Sequence, residues 1–376
     1  METAARVGQP TGDQSDVIES AMGSSRWART VDFCIALQSF GSLLSYFNVM
    51  GALGADLLKT TRPPDVAVNT YPGVILICAL LLAPACFYRA YGDIAHISLL
   101  SFGLIAFTTI SIVAKAIVNP HPVPLAPKTF LTPFSGMGNF AFAVSNQFAV
   151  NEAYASMRPA DRPGVTKVIL LQAALGGALL IPMAIAGVAA IGMNGLSSNI
   201  LESLSQEPIF NKVLKGLTIL HLIFYVPNDF IIMRLYACRF FDINPLTIPQ
   251  SRFVGLTIAM LATPAVIMAA IPKPDVNGVF ELIITLTGDI PIGIGVLLVP
   301  LLAFKKVVLD RRNVDVDPKD LPVGSTSLFP FIQKLNGLYM FFIGIVILLL
   351  VVAPLSVFYS FIDTCLTKNC SRYGDA

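Results

Sequence analysis

The sequence is short of charge. Only 13% of its 376 residues are Asp, Glu, Lys or Arg, against about a quarter in soluble domains. A water-soluble globule of this size is therefore excluded. The 25 Lys and Arg nearly balance the 23 Asp and Glu, so there is no basic surface for a nucleic-acid partner. Histidine is scarce, and His96, His121 and His221 lie far apart. The six cysteines show no CxxC or Cys/His spacing, which leaves no metal ligand set and implies no cofactor. Four of them (Cys34, Cys78, Cys86, Cys238) sit in or beside apolar runs and read as small hydrophobes. HExxH, GxSxG and Walker signatures are missing, so the chain does not read as an enzyme. Residues 1–30 lack the apolar core of a signal peptide and read as a disordered cytosolic tail.

What the sequence does have is apolar length. Hydrophobic residues make up 55% of it and the mean hydropathy is +0.72. A helical span needs about 20 mostly apolar residues, because backbone groups left unpaired in hydrocarbon are too costly. Nine stretches qualify: 31–57, 72–90, 95–118, 130–156, 166–193, 210–240, 252–272, 279–305 and 335–362. Turn chemistry separates them, as in Arg62-Pro63-Pro64-Asp65 and Pro272-Lys273-Pro274-Asp275. The expectation is an all-α polytopic membrane protein. Its transmembrane domain covers 31–362, and a short extracytosolic tail covers 363–376. With the N-terminus cytosolic, 16 of the 25 Lys/Arg fall inside and the other nine outside, which favours that orientation. The sequon Asn369-Cys370-Ser371 and the neighbouring Cys365 and Cys370 would then lie outside, where the two thiols can pair.

Most spans are bland. The 335–362 stretch is apolar all round and reads as a peripheral, lipid-facing helix; 72–90 is similar. The 166–193 stretch carries Gly176, Gly177 and Gly187, which suit close helix packing. Four stretches are unusual. In 130–156, Ser135, Asn139 and Asn146 fall within about 40° of one another on a helix, while Gln147 and Asn151 share a second strip. Such amides either glue helices together or line a site where the helix is interrupted. In 210–240, His221 and Tyr225 share a face, Pro227 weakens the helix, and Asp229 lies a turn further on. In 279–305, Asp289 stands roughly 15 Å into a ~30 Å core, between Gly288 and Pro291. It is either a functional carboxylate or a helix-ending cap. In 31–57, Ser42, Ser45 and Tyr46 make a small polar face.

At these spans the sequence resembles the amino acid/auxin permease family of the amino acid–polyamine–organocation superfamily. Val31 to Ile35 with Phe40-Gly41 and Tyr46 resembles that family's third helix. Phe140-Ala141-Phe142 with Ser145-Asn146 and Arg158-Pro159 resembles the sixth, and Tyr225-Val226-Pro227 with Arg234 the eighth. Phe253 to Thr257 and Ala270-Ile271-Pro272 resemble the ninth; Thr287-Gly288, Pro300 and Lys305-Lys306 resemble the tenth. The resemblance implies a LeuT-like inverted-repeat transporter fold with about nine of eleven transmembrane helices present. It implies a small-molecule amino acid substrate, a site between broken helices, and the bilayer as the other partner. Carried over by position, substrate-binding residues are Ser42, Tyr46, Phe142, Ala143, Ser145, Asn146, Tyr225 and Thr287. The middle of the eighth-helix counterpart, Leu220–Val226, offers no Ser or Thr. That makes sodium coupling less favoured than proton coupling, with Asp289 and His221 as proton carriers. The family's first two helices have no counterpart before Val31, which implies an incomplete reading frame or a truncated relative. In the latter case the alternative is a non-transporting sensor or assembly partner. The membrane of residence would be the plasma membrane or a vacuolar/lysosomal-type membrane.

Overall fold

Ser25–Lys59 winds into one 35-residue helix, α2, about 50 Å long at 1.5 Å per residue. That exceeds the ~30 Å hydrocarbon core, so one end projects into water. The computed structural model describes residues 14–59, 70–122, 147–158, 160–192, 201, 208–271, 285–309, 336–352 and 354–355. Among the described residues every regular element is helical. Before α2 stands α1 (Gln14–Met22); after it come α3 (Tyr71–Cys86), α4 (Ala95–Val118) and α5 (Gln147–Ser156). They are followed by α6 (Val165–Ile191), α7 (Pro208–Phe240) and α8 (Gln250–Ala270). π-Helical segments at Thr285–Asp289 and Ile292–Leu298 lead into α9 (Val299–Phe304) and a third π turn, Lys305–Leu309. α10 (Asn336–Ile347) continues as a π turn to Val352.

Six described stretches are long and apolar enough to cross a membrane: Ser25–Leu58, Tyr91–Val118, Lys167–Ile191, Ile209–Phe240, Gln250–Ala270 and Leu286–Val307. α3, with 16 residues, and Phe342–Val352 are shorter apolar helices. Prolines 84, 182, 227 and 264 lie inside α3, α6, α7 and α8. Helices packed in a membrane bundle tolerate them because neighbours satisfy the freed backbone groups.

The centre of the bundle is α2 against α7. Leu43, Phe47 and Met50 of α2 pack with Val226, Phe230 and Met233 of α7, Ile75 and Leu82 of α3, and Ala265 and Met268 of α8. A second core joins Val31 and Ile35 to Ile232, Tyr236, Ile292, Val296 and Val299. A third joins Leu53 to Ile112 of α4, Ala186 and Ala190 of α6, and Leu214 of α7. Leu99 and Ile117 of α4, Leu170 and Ile181 of α6, and Leu80 and Leu81 of α3 point outward and are exposed. An apolar surface this wide suits lipid and not water. Two of the three glycines read for close packing in α6, Gly176 and Gly177, do not serve it, whereas Gly187 is buried beside Ala186 and Ala190 of the third core. Among the described residues a Cβ at Gly176 would meet nothing, and one at Gly177 would meet only Ile181 of its own helix.

Part of the expected N-terminal tail is ordered. α1 buries Ile18 and Ala21 in the second core, and Gln14 Nε2 donates to Gly295 O at 3.2 Å. The Ser15 hydroxyl donates to the buried Asp32 carboxylate. Lys306 Nζ donates to Met22 O at 2.9 Å, capping the end of α1. Gly23 then turns the chain at φ +72°, a conformation open to glycine. Three apolar residues at helical spacing, Val17, Ile18 and Ala21, carried this signal; the flanking Gly, Ser and Asp residues hid it. Ile18→Ala is expected to destabilise the protein by about 2–3 kcal/mol through loss of buried volume. Thermal unfolding in detergent checks this; an unchanged midpoint would mean that α1 is not anchored.

Polar contacts collect at the two ends of the bundle. At one end Arg29 pairs with Asp242 at 2.5 Å and Arg239 with Glu152 at 3.3 Å. There too, Arg89 donates to the carbonyls of Pro245, Leu246 and Ile248. Lys215, itself buried, pairs with Asp56 at the other end. Each pair joins residues that the span count places on one side of the membrane.

Candidate functional site

The polar face read in α2 meets a polar face of α7. Residues 221, 225 and 229 are spaced i, i+4, i+8 and lie on one side of α7. The Tyr46 hydroxyl donates to Asp229 Oδ2 at 3.0 Å. The Tyr46 ring stands edge-on to the Tyr225 ring, with centroids 5.6 Å apart at 89°. His221 stacks on the other side of the sequence step, 5.6 Å from Tyr225 at 27°. Ser42 is buried one turn before Tyr46 and adjoins the same Asp229 carboxylate. Tyr46, Tyr225 and His221 are each only half-buried.

α4 closes this face from a third side. His221 Nδ1 lies 2.8 Å from Ser101 Oγ and 2.9 Å from Ser101 O. Ser98 Oγ donates to Asn228 Oδ1 at 2.7 Å, and Asn228 Nδ2 donates to Tyr225 O at 3.1 Å. These bonds fix α7 beside Pro227, whose missing N–H weakens the helix at that level.

The fourth side is the π-helical run. A Cβ on Gly41 would overlap the Thr287 side chain, so Thr287–Gly288 lies directly on α2, next to Ser42. π-Helical turns are rare and concentrate at functional sites. Here they flank Pro291, so the weak point expected between Gly288 and Pro291 takes the form of widened turns on either side.

Four of the sequence-derived substrate residues, Ser42, Tyr46, Tyr225 and Thr287, thus converge between α2, α7 and the π-helical run. The other four, Phe142, Ala143, Ser145 and Asn146, lie outside the described residues. Of the two proton-carrier candidates, His221 adjoins the group, through Tyr225. Asp289 ends the first π turn, and its side chain is outside the described residues. Sequence reasoning did not place Asp229, Ser98 or Ser101 here. The i, i+4, i+8 register was a usable signal for Asp229; nothing in the sequence of α4 marks its two serines.

The arrangement offers hydroxyls, an imidazole, aromatic faces and one carboxylate, groups that can recognise a small polar molecule. Among the described residues no three His, Cys, Asp or Glu side chains cluster as metal ligands. Comparison with known proteins agrees with a binding role. The family model described as transmembrane amino acid transporter protein matches residues 5–283. No curated protein and no solved structure matches the chain. The match spans well over half of the sequence and includes α1 to α8, with every described site residue except Thr287. The chain is an integral membrane protein and belongs to the transmembrane amino acid transporter family.

Proposed function

We propose that the chain is a secondary active amino acid transporter, a proton symporter that works by alternating access in a LeuT-like inverted-repeat fold. The observation that carries this reading is the meeting of Ser42, Tyr46, Tyr225 and Thr287 from three separate segments, in a family of amino acid transporters. Substrate binds between α2 and α7 on those residues, with Phe142, Ala143, Ser145 and Asn146 completing the site. Half-helix N-termini favour its carboxylate, and unwound carbonyls accept its ammonium.

The π-helical run is the moving part. A π turn carries i→i+5 bonds and can rewind toward α-helical geometry, shifting the residues beyond it. Because Thr287 abuts Gly41, such a shift opens or closes the gap beside Ser42. Proton coupling fits the lack of Ser and Thr over Leu220–Val226. The N-terminus faces the cytosol, as the distribution of Lys and Arg favours, and the membrane is the plasma membrane or a vacuolar/lysosomal-type membrane.

Asn146→Leu and Asp289→Leu are both expected to abolish uptake of labelled amino acids while surface expression persists. Surface biotinylation with parallel uptake assays checks this. Normal uptake by both variants would remove Asn146 and Asp289 from the site.

A further inference from the structure

We propose that Asp229 carries the coupled proton, and that the Tyr46 hydroxyl is the contact through which its protonation state reaches the substrate cleft. This rests on the transport reading above and names its coupling residue.

Asp229 lies on α7 about 16 Å along the axis from the helix end at Phe240. It is buried among hydroxyls: Tyr46 donates to it, and Ser42 adjoins. The groups that interact with it among the described residues come from three elements. α2 supplies Ser42 and Tyr46, α7 supplies Tyr225, and the turn Tyr91–Ile94 supplies Tyr91. α4 reaches the neighbouring Asn228 through Ser98, and His221 through Ser101. Beyond Tyr91 lies Glu152, which is committed to Arg239. Arg234, five residues on, points away and is bound to the carbonyls of Cys86 and Tyr88. Among the described residues no Lys or Arg pairs with Asp229.

A carboxylate at membrane depth without a cation must be neutralised by something that comes and goes. A proton does this with the least rearrangement. With Asp229 ionised, its Oδ2 accepts the Tyr46 hydrogen. When Oδ2 takes up a proton, one O–H bond forms and the oxygen becomes a donor. The Tyr46 hydroxyl must then reverse its role or turn away. Tyr46 stands edge-on to Tyr225, so either response moves the tyrosine pair that borders the cleft. Releasing the proton to the opposite side breaks the same O–H bond and restores the starting bond.

The test uses the full chain in liposomes, as wild type, Asp229→Asn and Tyr46→Phe. Infrared difference spectra between acidic and neutral buffer are expected to show a protonated-carboxyl carbonyl band in wild type. That band should vanish in Asp229→Asn and move in Tyr46→Phe, which keeps the ring and loses only the hydroxyl. With a labelled amino acid mixture outside, uptake by wild type should rise when the exterior is acidified, and any uptake left in Asp229→Asn should not respond. Persistence of the band in Asp229→Asn, or an undiminished response to acid, would overturn the assignment. Should Asp229→Asn take up nothing, the band decides alone. Should wild type take up nothing, the transport reading fails while the band still reports on Asp229.

Discussion

Gly41→Ala is expected to destabilise the protein by about 1–2 kcal/mol net and to abolish uptake, although alanine is the better helix former. In an exposed helix the exchange would gain about 1 kcal/mol. Here the new Cβ would overlap both the Cβ and Oγ1 of Thr287. Neither side can yield easily: Leu43 and Phe47 hold α2 in the central core, and Ile292 and Val296 hold the π-helical run in the second. Overpacking of a fixed contact costs about 1–3 kcal/mol, and with the Thr287 Cβ itself overlapped it outweighs the propensity gain. The displaced segment carries Thr287 away from Ser42, so the loss of uptake should exceed the loss of folded protein. Thr287→Gly removes the obstructing atoms. The double variant should recover stability, with a coupling of about 1–3 kcal/mol in a thermodynamic cycle. Strictly additive effects would show that the two residues do not touch.

Arg234→Ala should be the most destabilising single change in α7, by about 4 kcal/mol from lost hydrogen bonds and lost volume together. The guanidinium is fully buried, yet its hydrogen bonds go to carbonyls and a hydroxyl, not to a carboxylate. Instead Nη1 donates to Cys86 O at 2.7 Å and to Thr257 Oγ1 at 3.1 Å, and Nη2 donates to Tyr88 O. Its Cζ also lies 4.4 Å from the centre of the Phe253 ring, which Arg89 approaches at 4.3 Å. One side chain thereby satisfies carbonyls at the end of α3, where helix carbonyls lack internal partners, and ties α3 and α8 to α7. Alanine leaves those buried acceptors empty. Lysine should recover less than half of the loss, because a single ammonium cannot match the planar fork that reaches all three. Thermal unfolding in detergent, read by size-exclusion profile, checks both variants. Equal stability of Arg234→Lys and wild type would show that charge alone matters.

The helices were legible in the sequence wherever a long apolar run ended in Pro, Gly or charge. The stretches at 166–193, 210–240 and 252–272 match α6, α7 and α8 to within about two residues at each end, the usual uncertainty of helix boundaries. The start of α2 was less legible. Ser25 to Thr30 include Arg26 and Arg29, which hydropathy rejects, whereas the helix simply continues into the polar layer. The π-helical turns left no local signal beyond Gly288 and Pro291, since their geometry depends on what packs around them. In the site, helical spacing brought out Ser42 with Tyr46 and His221 with Tyr225. It could not reveal that the two faces meet, nor that Asp229 receives the Tyr46 hydroxyl. Such pairings across 183 residues of sequence are tertiary facts. Local pattern contains no record of them.

The central claim is proton-driven amino acid transport, and uptake of a labelled amino acid panel at two external pH values tests it most directly. The protein, reconstituted in liposomes of fixed internal pH, should accumulate at least one amino acid, more at the acidic external pH, with collapse of that excess by a protonophore. Accumulation that ignores pH and requires sodium would contradict the coupling. No uptake of any amino acid by correctly inserted protein would contradict transport itself.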